Sequence, residues 1–114
     1  EDTIALFTGG FPRRLEQKMI KIVCAAGISE ISHWSDLDLG GLRILRHMQK
    51  ISPVAVTPWR MEPEILEKHP TRPLTERDRK GLKQWVEDTG NPCIELAKRM
   101  LEKNAKLEQE SWYL

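Results

Sequence analysis

A chain of 114 residues, 39% hydrophobic and 31% charged, has enough apolar material for one core, which excludes a disordered tail. No apolar run approaches the ~20 residues that cross a bilayer, which excludes a membrane-spanning helix. Eighteen Lys and Arg against 17 Asp and Glu leave a net charge of +1, so a case for nucleic acid has to come from local patches. Cys24 and Cys93 stand far apart in no metal-ligand spacing, which argues against a disulfide framework and for a reduced, cytoplasmic setting. No signal peptide is visible, and a start at Glu1 rather than Met reads as a fragment or a processed product.

Thr3 to Thr8 is an apolar run ended by Gly9-Gly10, which predicts a buried strand running into a tight turn. Pro12 suits the first turn of a helix that carries Leu15, Met19, Ile22, Val23 and Ala26 and stops at Gly27. The opposite face of that helix is basic, with Arg13, Arg14, Lys18 and Lys21. Ile28 to Asp38 predicts a second strand, with Ile31, His33, Ser35 and Leu37 on one face and Trp34, Asp36 and Asp38 on the other. Gly40-Gly41 opens a helix with Leu42, Leu45 and Met48 along one side, and Pro53 to Val56 predicts a third strand. Strand, helix, strand, helix, strand is the signature of a parallel sheet with right-handed crossovers.

The second half is helical. Glu62 to Pro73 reads as a short helix and a loop. Thr75 with Asp78 forms a capping-box pattern for a helix from about 76 to 89 that buries Leu82, Trp85 and Val86. Gly90-Asn91-Pro92 starts a last helix with Ile94, Ala97 and Leu101 on one stripe and Leu96 and Met100 beside it, running toward Leu107-Glu108-Gln109-Glu110. The domain reading is an α/β core over 1–61 and a helical extension over 62–114.

Trp34-Ser35-Asp36-Leu37-Asp38-Leu39-Gly40-Gly41 is the strongest chemical candidate. Paired carboxylates at the carboxyl end of a parallel strand sit where open α/β sheets place ligands. Oxygen donors of this kind suit Mg²⁺, and the glycines would admit a phosphate at the helix N-terminus. The competing reading is ordinary turn and N-cap chemistry, since Asp before Gly-Gly is common in both. Glu108 and Glu110 form a second acidic pair, and carboxylates in a last helical turn oppose the macrodipole at ~0.3–1 kcal/mol each. Arg43, Arg46 and Lys50 add basic charge to the second helix. His33, His47 and His69 show no ligand spacing, and Trp34, Trp59, Trp85 and Trp112 read as core or interface anchors.

The run from His33 through Asp36, Asp38 and Gly41 to Leu45 resembles the C-terminal Toprim-type domain of the JetD proteins of Wadjet anti-plasmid systems. Leu6 to Pro12 is similar to that family's preceding strand and turn, Arg60-Met61 to a Met after its next strand, and Lys106 to Glu110 to its C-terminal Leu-Glu-Gln-Glu. The resemblance implies a Toprim-like parallel sheet with flanking helices, a helical C-terminal region and a first strand lying upstream of Glu1. It implies Mg²⁺- or Mn²⁺-dependent cutting of double-stranded DNA beside SMC-like ATPase subunits, and it admits a homodimer. Asp36 and Asp38 match the Toprim Asp-x-Asp and would hold the metal; Ser35 stands where the family carries Gly. Glu108 and Glu110 are further catalytic candidates, and Arg13, Arg14, Lys18 and Arg43 are candidates for DNA phosphates. The third Toprim carboxylate would precede Glu1, so this stretch alone is expected to cut poorly. The rival function is a non-catalytic interaction or scaffolding domain in which the acidic pair only caps a helix.

Overall fold

The computed structural model describes residues 3–7, as backbone, and residues 25–108. The expected Gly9-Gly10 turn, the basic helix with Arg13, Arg14 and Lys18, and Cys24, Glu110 and Trp112 all lie outside the described residues.

β1 (Thr3–Phe7), β2 (Glu30–Trp34) and β3 (Ala55–Pro58) form a parallel sheet in that order, with β2 central. Ile4 pairs with Ile31 and Ile31 with Val56, so the apolar runs share one register. The parallel α/β expectation therefore holds. β2 is shorter than the 28–38 run suggests, because the ladder ends at Trp34. The alternation nevertheless continues beyond it: Ile31, His33, Ser35 and Leu37 are all buried. Leu37 finds a different partner, exchanging backbone hydrogen bonds with Leu107 at 2.8 and 3.1 Å.

Asp38 has extended backbone and caps α1 (Leu39–Ile51). Leu42, Leu45 and Met48 recur at helical spacing and are fully buried beneath the sheet. Gly41 is required here, since a Cβ would collide with the Asp36 carbonyl and the Ser35 hydroxyl oxygen. After α1 the Ser52 hydroxyl bonds the backbone of Val54 in both directions and holds a tight turn. That turn delays β3 to Ala55, two residues after the expected start at Pro53.

A 3₁₀ turn (Pro63–Glu67) leads to α2 (Glu76–Glu87) and α3 (Ile94–Lys103). The capping box is present: the Asp78 N–H donates to the Thr75 hydroxyl at 3.1 Å, and the Thr75 N–H to the Asp78 carboxylate at 2.9 Å. The buried stripe of α3 is Leu96, Ala97 and Met100, with Ile94 and Leu101 only partly covered, so the centre of the core face lies on the residues expected beside the stripe. α3 also stops earlier than its pattern suggests. Asn104 adopts φ 51° and ψ 49°, and the chain turns into an extended segment over 105–108. Within that segment Lys106 pairs with Arg72 and Leu107 with Leu37. One core unites the sheet face, the three described helices and Leu107.

Candidate functional site

The carboxyl edge of the sheet brings the acidic pair together with the C-terminal segment. Asp36 and Asp38 flank Leu37, and Lys106 and Glu108 flank Leu107. Because the Leu37–Leu107 bridge is antiparallel, Asp36 stands opposite Glu108 in register and Asp38 opposite Lys106. Leu37 and Leu107 are turned into the core. By alternation, the four charged neighbours take the other face.

The electrostatics follow that register. The Asp38 Oδ1 accepts the Gly41 N–H at 2.7 Å. Burial nonetheless raises its carboxyl above the ordinary value; the Gly41 bond and Lys106 pull it down, while Asp36 and Asp78 push it up. Lys106 Nζ donates to Asp78 Oδ2 at 2.8 Å, across side chains only about one-fifth exposed. Burial alone would raise the Asp78 carboxyl, but the hydrogen bonds from Lys106 and Thr75 prevail and hold it low. Lys106 is thus an internal cation between two carboxylates of different elements. Glu108 lies 3.4 Å from Arg72 Nη1, an exposed pair of small energetic weight.

A Mg²⁺ ion commonly takes one or two carboxylates and completes its shell with water and substrate phosphate. Asp36 and Asp38 fit that donor chemistry as a pair. Among the described residues, no group of three His, Cys, Asp or Glu side chains is placed to hold a metal.

The family model for the C-terminal region of the Wadjet protein JetD matches residues 1–113, nearly the whole chain. The chain belongs to that family. A comparison with curated proteins returned no match. Membership in the JetD C-terminal family agrees with the fold: a small parallel sheet followed by helices is a Toprim-like arrangement. It agrees with metal-dependent chemistry in general. None of the described helices is long and apolar enough to cross a membrane.

Of the candidates singled out in the sequence, Asp36 and Asp38 share the sheet edge, and Glu108 stands across from Asp36 in register, where its side chain pairs with Arg72. Arg43 is exposed on α1 one turn beyond the Asp38 cap, at the rim of a cavity of about 180 Å³ shared with Arg46 and Asn91. Met61 is a core residue. Glu108 does not oppose a helix dipole, contrary to expectation, because α3 ends at Lys103 and Glu108 sits on the extended segment. The paired glycines divide: Gly41 serves packing against the Asp36 carbonyl, while a Cβ at Gly40 would make only an ordinary contact, 3.5 Å from the Asp38 Oδ1. Sequence reading missed Asp78 and Lys106 as neighbours of Asp38, since long-range register brings them in and no local spacing marks it. It left Trp59 as a core or interface anchor, and at 47% exposed Trp59 is not a core residue.

Proposed function

We propose that this chain is an interaction and scaffolding module of a Wadjet complex, contacting double-stranded DNA and SMC-like ATPase subunits, and does not cleave DNA by itself. In this reading residues 1–61 are the Toprim-like core and 62–114 its helical extension. The observation that carries it is the engagement of Asp38: its carboxylate caps α1, and no third metal-holding side chain joins the acidic pair among the described residues. A capping carboxylate stabilises a helix by ~1 kcal/mol whether or not a cation ever binds.

A second reading, metal-dependent DNA cleavage, is favoured by a specific observation: the register that sets Glu108 opposite Asp36 beside Asp38. Asp36 and Asp38 would hold Mg²⁺ or Mn²⁺, with Glu108 and Glu110 as further carboxylates. Arg43, with Arg13, Arg14 and Lys18, would contact DNA phosphates. When bound, the ion supplies charge stabilisation at a scissile phosphate and lowers the pKa of a coordinated water.

Thermal melting in millimolar Mg²⁺ or Mn²⁺ separates the two. A ligand that binds only the folded state raises the melting temperature. On the scaffolding reading the melting temperature stays put and the Asp36→Ala, Asp38→Asn double variant melts alike with and without metal. A metal-induced rise that vanishes in that variant, together with metal-dependent nicking of plasmid by the assembled complex, would establish the cleavage reading instead.

A further inference from the structure

Trp59 is the exposed large hydrophobic residue among the described ones, with nearly half its surface open. It follows β3 at the same sheet edge at which Asp36 follows β2, and its N–H continues the ladder by donating to the His33 carbonyl at 2.8 Å. Its ring is braced edge-to-face by Trp34, at a centroid distance of 5.8 Å and 85° between planes. Arg60 places its guanidinium 5.5 Å from the Trp59 centroid, a cation–π distance. Arg60 holds φ 56°, a conformation a side-chain-bearing residue adopts at a cost, so the fold enforces this placement. An open cavity of about 400 Å³ begins at Arg60 and is lined also by Glu62, Glu64, Ile65, Lys68 and His69.

We propose that Trp59, braced by Trp34 and flanked by Arg60, is a stacking platform for an unstacked base of bound DNA. It rests on the DNA-contact half of the function proposed above. A rigid aromatic ring with a cation over one face is a combination that binds single-stranded bases, because the base stacks on the ring's other face and the cation meets the neighbouring phosphate. A docking site for a folded protein would need more apolar surface around the ring. Here the chain neighbours Pro58, Arg60 and Glu62 are exposed and offer no such patch. The cavity beyond is of mixed charge, with Lys68 and Arg60 against Glu62 and Glu64, so the phosphate contact falls to Arg60 at the ring itself.

The test is fluorescence anisotropy with a labelled duplex containing a single-stranded gap, against a fully paired duplex of equal length, in a chelator so that cutting is silent. Trp59→Ala and Trp59→Leu should weaken binding to the gapped duplex by about 5- to 100-fold, and Trp59→Phe should stay within about threefold. The exposed position leaves the fold intact, which unchanged melting curves verify. Equal affinity of Leu and Phe variants overturns the proposal, since Leu supplies apolar area without a ring face. Unchanged DNA affinity in Trp59→Ala, with loss of binding to a protein subunit in sedimentation, overturns it in favour of a protein contact. If the native protein binds neither duplex, the DNA-contact reading falls and takes this one with it. If the native protein binds both and no Trp59 variant differs, only the stacking platform falls.

Discussion

His33 is fully buried on the core face of β2, and neither ring nitrogen has a hydrogen-bond partner among the described residues. Burial lowers its pKa to about 4, because the charged imidazolium cannot be hydrated there. In the unfolded chain the group titrates near ~6.5. Between those values the unfolded state binds the extra proton, so stability falls as pH drops from about 6.5 to about 4. The full loss is about 3 kcal/mol, and urea titrations across that range should find it; His33→Leu should flatten the slope. Asp38 offers the complementary residue-scale test. Asp38→Ala removes the cap and should cost about 1 kcal/mol, whereas Asn caps as well as Asp and Asp38→Asn should cost little. The placement of Asp36 and Asp38 on one face was legible in the sequence, because strand alternation runs unbroken from Ile31 to Leu37. The exposure of Trp59 was not, because an aromatic identity carries no sign of which side of the sheet edge it faces.

The elements show where periodicity misleads. Ala105 and Leu107 prolong the apolar character of α3, and a helical pattern extends naturally through them. The stop is written in Asn104, one of the few residues that tolerates the left-handed conformation ending a helix. Its side chain also works: Oδ1 accepts the Leu74 N–H at 3.3 Å and a guanidinium hydrogen of Arg79. Asn104→Ala loses both bonds and adds backbone strain, while Asn104→Gly loses the bonds alone. Denaturant midpoints should therefore rank native above Gly above Ala, with Gly and Ala separated by about 1 kcal/mol. Equal midpoints for Gly and Ala, both below native, would show that the bonds and not the conformation fix the stop. The capping box of α2 was fully legible because its determinants, Thr75 and Asp78, lie three residues apart. The start of β3 was not, because the Ser52 turn competes locally with the strand for Val54.

At the scale of the whole molecule, the extended segment after α3 links core and acidic edge. Leu107 is 1% exposed and belongs to the cluster that holds Ile31, Leu42 and Met100. Its backbone is bonded to Leu37, and through the adjoining Lys106 to Arg72. Such a contact between residues 70 positions apart lay beyond any local reading of the sequence. Leu107→Ala should cost about 2–5 kcal/mol of unfolding free energy, the range for a buried leucine whose cavity relaxes only in part. Half-buried Leu101→Ala should cost less, and chemical denaturation measures both. The same variant separates two roles for the segment. If residues 105–108 serve the core alone, DNA contact by the folded fraction should survive the substitution. If they also set Glu108 opposite Asp36, any metal-induced rise in melting temperature should shrink in Leu107→Ala even after its lower baseline is subtracted. An undiminished rise would confine metal binding to Asp36 and Asp38, because the register that brings Glu108 to the edge depends on the packing of Leu107.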